Sequence, residues 1–133
     1  MKDLLAIALG GLLGAVARYS VNQLAQGFSI IGIPTATLIV NLLGSFGLAF
    51  FLQKSLTSWG LAAHWRLGIA TGFFGAFTTF STFMLENVAL LLKHNYLTAF
   101  SYLLMTAFLA AAAGFLGWFI AETTTGQTLR EKE

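Results

Sequence analysis

The sequence contains no cysteine, only one proline and few charged residues, and these shortages exclude several classes of protein. Without cysteine, the chain has no disulfide, no thiolate nucleophile and no cysteine metal ligand. Charged residues make up 9% of the sequence, against about a quarter in a soluble domain. A net charge of +2 is too small to indicate a nucleic-acid partner.

Groups suited to catalysis are also scarce. The apolar segments contain no histidine and no paired carboxylates, and the chain has no phosphate-binding glycine loop. We therefore predict that the protein is not an enzyme.

Apolar residues, by contrast, make up 57% of the chain, and the mean hydropathy is +0.80. About 20 consecutive apolar residues cross a bilayer core, and four such segments lie at residues 4–24, 34–52, 67–92 and 96–120. The first is too long for a signal peptide and lacks a small-residue cleavage site. We predict an all-α integral membrane protein, a single four-helix transmembrane domain over residues 1–133 with a frayed polar tail at 121–133.

The basic residues are distributed unevenly between the two sides of the membrane. Five lie on the side shared by the termini and the middle loop, and Lys93 lies on the other. The five are Lys2, Lys54, Arg66, Arg130 and Lys132. This bias predicts cytoplasmic termini for a multi-pass protein of the inner (plasma) membrane.

The third apolar segment contains an unusual run from Gly72 to Phe83. Two glycines are followed by four hydroxyls within five residues: Thr78, Thr79, Ser81 and Thr82. Glycine lowers helix propensity and hydroxyls compete for backbone hydrogen bonds, so we predict a third helix broken at mid-membrane. Such breaks persist where the backbone lines a polar cavity, and they are common at ion sites. The alternative is a glycine packing face whose hydroxyls bond back to their own helix.

Arg18 and Asn41 are polar residues within apolar segments, and each allows two interpretations. Arg18 either snorkels to the interface or is buried against carbonyls at a helix end. Asn41 either forms an interhelical hydrogen bond or faces an ion path. Thr37 lies on the same helix face as Asn41, which favours a polar stripe.

Several further positions are candidates for structural or path-lining roles. Gly10 and Gly14 have the GxxxG spacing that allows close helix approach. Glu86 is an intramembrane carboxylate, which we expect in a water-filled vestibule. Tyr102 and Thr106 share one helix face.

Together these groups suggest a path for a small anion. Hydroxyls, an amide and the positive edges of phenyl rings can replace the hydration shell of such an ion. A fixed cation in the path would bind the anion too tightly for release.

The chain resembles the Fluc/CrcB family of fluoride channels over nearly its whole length. The resemblance rests on residues 10–19, residues 37–46 and the run from Gly72 to Phe83, whose Thr-Thr-Phe-Ser-Thr-Phe sequence is the most specific part. It implies a passive, fluoride-selective channel that exports cytoplasmic fluoride. It further implies an antiparallel, dual-topology homodimer with two pores and a structural sodium ion (Na+) at the dimer interface.

The resemblance also implies roles for individual residues. Phe80 and Phe83 would be the pore phenylalanines, and Glu86 would face a vestibule. The rest of the path would be lined by Asn41, Ser81, Thr82, Tyr102 and Thr106. The carbonyls of Gly75 and Thr78 would hold the sodium.

Two other functions fit the composition. A small dual-topology multidrug or cation exporter has the same size and glycine packing, but it needs a carboxylate in the first span, where residues 4–24 have none. A non-transporting assembly protein built on the glycine faces would leave Asn41 and the hydroxyl cluster unexplained.

Overall fold

The computed structural model describes residues 1–25, 29–30 and 32–130, and these residues are almost entirely helical. In chain order the elements are α1 (Lys2–Leu24), β1 (Ser29–Ile30), β2 (Ile33–Pro34), α2 (Thr35–Thr57), α3 (Ala63–Leu67), a π-helix (Gly68–Phe74), α4 (Gly75–Phe77), α5 (Phe80–Leu92) and α6 (Tyr96–Arg130). Four segments are long and apolar enough to cross a membrane: Lys2–Leu24, Thr35–Thr57, Ala63–Leu92 and Tyr96–Thr125. The predicted helical class with four membrane-spanning segments is therefore confirmed.

The short sequence of residues 27–33, between α1 and α2, predicts a tight turn. Residues 26–28 and residue 31 lie outside the described part of the chain. In the described part, β1 pairs antiparallel with β2, with Ser29 opposite Pro34 and Ile30 opposite Ile33. Gly32 has a φ of 77°, a backbone conformation that glycine adopts without strain.

The last helix is longer than the sequence suggested. Helix α6 continues to Arg130, through most of the tail that was expected to fray. The hydroxyl of Thr125 donates to the carbonyl of Ala121 at 2.8 Å, and Thr123 donates similarly to Phe119. These hydroxyls bond back to carbonyls of their own helix, and the helix continues through them.

The third membrane segment has the least regular backbone. Its π-helix is followed by the single short turn of α4 and then by extended backbone at Thr78 (φ −75°, ψ 157°) and Thr79 (φ −146°, ψ 119°). Helix α5 begins at the next residue, Phe80.

Glycines determine how closely this segment approaches α1. A Cβ atom on Gly10 would collide with the carbonyl oxygen of Gly68, and one on Gly14 with that of Phe73. The two backbones are therefore in direct contact, and any larger side chain would separate them. A similar contact joins α6 to α2, where a Cβ on Gly117 would collide with the carbonyl of Phe46.

The buried apolar core is small, and large apolar side chains cover the outside. Ile33, Phe83 and Tyr102 form the buried cluster. One face of α1 exposes five large apolar residues: Leu5, Leu9, Leu12, Leu13 and Val16. An outer surface of this kind fits a hydrocarbon environment.

Candidate functional site

Asn41 on α2 pairs with the extended backbone between α4 and α5. Its Nδ2 donates to the carbonyl of Thr79 at 3.0 Å, and its Oδ1 accepts from the amide of Thr79 at 2.9 Å. Both backbone groups of Thr79 are thus bonded without a helical partner, as backbone away from water requires. Asn41 therefore forms the contact between membrane segments that its first interpretation describes, and it also lines the cavity described below.

The hydroxyl cluster caps the start of α5. The side chain of Thr79 accepts from the amide of Thr82 at 3.2 Å and donates to the Thr82 hydroxyl at 3.0 Å. The Ser81 hydroxyl lies 3.4 Å from that of Thr79. This is an N-cap, in which a threonine oxygen bonds a free amide of the first helical turn.

A cavity of about 680 Å³ lies beside the extended residues, between α2, α5 and α6. Its walls are Asn41, Gly44, Ser45, Leu48, Thr78, Thr79, Phe80, Phe83, Met84, Leu103, Thr106, Ala107 and Ala110. None of these wall residues is charged, and most of the wall is apolar.

Thr106 is a buried polar wall residue with an unused hydroxyl. The residue is buried, and its Oγ1 forms no hydrogen bond with any residue that the structure describes. A buried hydroxyl without a partner lowers the stability of the fold unless a ligand or a water molecule forms a hydrogen bond with it. The cavity therefore contains a hydrogen-bonding group that is available to a small solute.

The two phenylalanines of the motif differ in their surroundings. Their ring centroids are 6.0 Å apart. Phe80 is 74% exposed, whereas Phe83 is 7% exposed and meets the Tyr102 ring edge-on at 5.0 Å. Phe80 is thus open to a neighbouring molecule, and Phe83 is part of the protein core.

Glu86 lies beyond Phe83 and is held by two hydroxyls. One carboxylate oxygen accepts from Thr37 Oγ1 and the other from the Tyr102 hydroxyl, each at 2.8 Å. Glu86 is half-buried, and Tyr102 is completely buried. Three side chains from α2, α5 and α6 are joined through this carboxylate, which does not reach the cavity wall.

The remaining predicted residues lie apart from the cavity or at its edge. Arg18 is half-buried on α1, and its guanidinium forms no hydrogen bond or ion pair within the described ranges. Thr78 lies on the cavity wall, and its hydroxyl donates to the carbonyl of Phe74 at 2.9 Å. Gly75 is exposed, with no atom within 4 Å of the position of a Cβ.

Of the eight predicted path residues, Asn41, Phe80, Phe83 and Thr106 meet at the cavity. Ser81 and Thr82 contact the hydroxyl of Thr79 at the N-cap, and Tyr102 donates to Glu86. These last four do not line the cavity in this single chain.

Sequence reasoning missed Asn87, a buried amide that donates to the carbonyl of Phe83 at 2.9 Å. A second amide inside an apolar span was the available signal. It also missed the apolar wall residues Leu48, Met84 and Leu103, which resemble any other membrane-span residue in sequence.

Four segments long and apolar enough to cross a membrane define a multi-pass membrane protein, and an uncharged cavity with a free hydroxyl lies among them. The chain belongs to the CrcB family, since the family model described as CrcB-like protein, Camphor Resistance (CrcB), matches residues 5–118. The predicted family resemblance is therefore confirmed.

Three relatives illustrate the match, each named as a fluoride-specific ion channel FluC. The protein of Methanococcus maripaludis is 50% identical over 96 residues, covering 72% of this chain and 75% of the relative. The protein of Dehalococcoides mccartyi is 39% identical over 120 residues, covering 90% of this chain and 92% of the relative. FluC 1 of Listeria monocytogenes is 39% identical over 120 residues, covering 90% and 98%. These names describe ion channels, which are not enzymes.

Proposed function

We propose that the protein is a passive ion channel selective for fluoride. The observation that carries this proposal is the uncharged cavity, in which the free hydroxyl of Thr106 lies on the same wall as Asn41 and the phenylalanines. The relatives named as fluoride-specific channels supply the identity of the ion.

The wall suits a small anion because it offers donors without a fixed positive charge. A hydroxyl, the second hydrogen of an amide and the positive edges of phenyl rings each stabilise an anion weakly. Several weak contacts allow both entry and release, as conduction requires.

A passive channel is sufficient for export. Hydrogen fluoride crosses membranes as a neutral acid and ionises in neutral cytoplasm, where the anion is trapped. A membrane potential that is negative inside then drives the anion outward with about 2.3 kcal/mol per charge per 100 mV. Because export of the trapped anion depends on this potential, we propose that the channel lies in the inner (plasma) membrane.

We further propose an antiparallel homodimer with two pores, one beside each copy of the extended Thr78–Thr79 backbone. In this arrangement the third membrane helix of each chain is interrupted at mid-membrane. The 74% exposure of Phe80 supports this, since a ring so open in one chain is available to a partner's cavity. Two-fold symmetry would bring the two interruptions together.

A structural sodium ion at that dimer interface is the remaining part of the proposal. The amide of Thr79 donates to Asn41, so it does not return to the carbonyl of Gly75 in the way a continuous helix would require. No group of three or more acidic, histidine or cysteine residues in the described ranges could hold a metal ion. Carbonyls of Gly75 and Thr78 from two chains, without carboxylates, suit a monovalent cation better than calcium.

A small multidrug or cation exporter is not favoured. Residues 4–24 contain no carboxylate to couple protons to a substrate, and the relatives carry the names of channels.

Fluoride efflux from liposomes containing the purified protein, followed with a fluoride electrode, tests the function. We expect efflux that needs no proton gradient and exceeds chloride efflux under the same potential. Thr106→Val should slow it, because the variant keeps the side-chain shape but loses the free hydroxyl, and Thr106→Ser should retain it. Equal chloride efflux, or a requirement for a proton gradient, would contradict the proposal.

A further inference from the structure

Lys54 is a buried cation that does not line the cavity. It lies in the last turn of α2, where it is only 9% exposed. It lies six residues beyond Leu48, the cavity wall residue closest to it along α2, which corresponds to about 9 Å of helix rise. Its position is therefore separate from the proposed fluoride cavity.

Hydroxyls surround the ammonium group. Lys54 Nζ donates to Thr125 Oγ1 on α6 at 3.2 Å, and Ser58 Oγ lies 3.1 Å from the same Thr125 oxygen. The Thr125 hydroxyl donates its own hydrogen to the carbonyl of Ala121 at 2.8 Å. Thr125 thus acts as an acceptor that fixes the direction of the ammonium group.

Two of the three ammonium hydrogens of Lys54 have no acceptor among the residues that the structure describes. The ammonium group has three hydrogens, of which Thr125 takes one. Within the described ranges, no carboxylate lies within ion-pair distance of Lys54 and no second acceptor bonds its Nζ. A buried charge in this state is costly unless a counter-charge pairs with it.

We propose that Lys54, Ser58 and Thr125 form a binding site for a small monovalent anion at the shared end of α2 and α6. The anion accepts the two remaining ammonium hydrogens, while Ser58 donates its hydroxyl hydrogen to Thr125 and Thr125 holds Lys54 in position. Ser58 is exposed, so the site opens to the outside on its side. This site goes beyond the proposed channel function and does not depend on it.

The chemistry favours a halide-sized monoanion over a phosphate. One lysine supplies one positive charge, so a dianion would leave net negative charge in an environment of low polarity. The 9% exposure of Lys54 also limits the access of a large headgroup to the ammonium group. Fluoride and chloride share the required chemistry, and separate titrations distinguish them.

Trp59 provides a reporter beside the site. Its amide donates to the carbonyl of Lys54 at 3.0 Å, and its ring packs 5.9 Å from that of Phe51. The chain has three tryptophans, so Trp65→Phe and Trp118→Phe together leave Trp59 as the sole emitter. This background protein would be titrated in detergent with sodium fluoride or sodium chloride, with sodium gluconate keeping the sodium concentration and ionic strength constant.

We expect a saturable change in Trp59 emission with at least one of the two halides. Lys54→Met should abolish it or raise the half-saturating concentration about tenfold or more, since hydrogen bonds to charged groups are strong. Lys54→Arg should retain saturation, and Ser58→Ala should weaken it. Lys93→Met, which removes an exposed lysine from the connection between α5 and α6, is the matched control and should titrate like the background protein.

Several outcomes would overturn the site. One is a Trp59 emission that changes linearly with both halides and does not saturate. Such a response indicates collisional quenching of the tryptophan and no bound anion. Another is a Lys54→Met titration equal to that of the background protein. If Lys54→Met does not remain monodisperse, unchanged half-saturation in both Ser58→Ala and Thr125→Val overturns it instead. Liposome flux is measured on the same proteins, so failure of this site with intact fluoride flux is distinguishable from failure of the channel proposal.

Discussion

At the scale of single residues, the polar groups inside the membrane segments differ in whether their hydrogen bonds are already used. Asn41 spends its carbonyl oxygen and one amide hydrogen on the backbone of Thr79. The hydroxyl of Thr106, buried on the same cavity wall, forms no hydrogen bond within the described chain. The first residue therefore maintains the shape of the cavity, and the second is free to contact its contents.

Replacing Asn41 tests the first role. Asn41→Leu should destabilise the protein by about 1–3 kcal/mol, because it leaves the buried amide and carbonyl of Thr79 without partners. Thermal unfolding in detergent measures this loss. Ser45→Ala, on the same wall but without a side-chain hydrogen bond in the described structure, is the matched control. Equal melting temperatures for the two variants would show that the Asn41 contact is not stabilising.

The two motif phenylalanines should separate flux from stability. Phe80→Ala is expected to remove most fluoride flux while leaving the melting temperature nearly unchanged, because the ring is 74% exposed. Phe83→Ala should remove flux and also destabilise the protein by about 3–5 kcal/mol, since its ring packs in the core against Tyr102. Flux and melting are measured on the same preparations. A Phe80→Ala protein that conducts like the parent would exclude a role for that ring in the path.

At the scale of elements, the third membrane segment is shaped by its neighbours more than by its own helix propensity. Its π-helix lies directly on α1, where Gly10 and Gly14 leave no space for a side chain. Its extended residues are paired by Asn41 from α2. Contacts from α1 and α2 therefore hold the irregular backbone in place.

Gly14→Ala tests the contact with α1. The added Cβ would collide with the carbonyl oxygen of Phe73, so α1 must shift, at a cost of about 1–3 kcal/mol. Gly11→Ala is the matched control, because its Cβ would meet no nearer atom than the Gly72 oxygen at 3.9 Å. The melting temperature and the fluoride flux should fall for Gly14→Ala and not for Gly11→Ala. Similar behaviour of both would mean that this contact has room to adjust.

At the scale of the whole molecule, one chain leaves much apolar surface and an open aromatic ring uncovered. Leu5, Leu9 and Leu12 on α1 are more than half exposed, and so is Phe80. Lipid tails are as apolar as these side chains, so they cover the surface as well as a second chain would. The exposed area alone therefore does not decide between lipid and a second chain. The proposed dimer and its sodium therefore need their own tests.

Removing sodium tests the cation proposal. Preparation and assay in N-methyl-D-glucamine salts should lower the melting temperature and slow fluoride flux, because the carbonyls of Gly75 and Thr78 would lose their counter-charge. Returning sodium chloride, but not more of the organic chloride, should restore both. Unchanged melting and flux after exhaustive sodium removal would eliminate a structural role for the ion.

Membrane orientation tests the antiparallel dimer. A single cysteine placed after Glu133 should be labelled by an impermeant thiol reagent from both sides of the membrane, about half of the copies from each. The chain has no other cysteine, so the signal comes from this position alone. The charge bias of the sequence argues for one orientation, and protection of every copy from one side would support that bias and reject inverted copies.

The sequence by itself determined the membrane class, the four spans and the family. Hydrophobicity over about 20 residues is a local property, and the motif from Gly72 to Phe83 is a linear pattern, so neither needs a fold to be seen. Sequence also indicated weak helix propensity near Gly75, because glycine and threonine act on their own backbone.

Only the tertiary structure decided which polar groups meet. Asn41 and Thr79 are 38 residues apart, and Lys54 and Thr125 are 71 apart; no local pattern pairs them. The burial of Phe83 against the exposure of Phe80, three residues away on one helix, likewise depends on where Tyr102 packs. Hydrogen bonds and ring contacts are formed between elements, so their partners follow from helix packing and not from propensity.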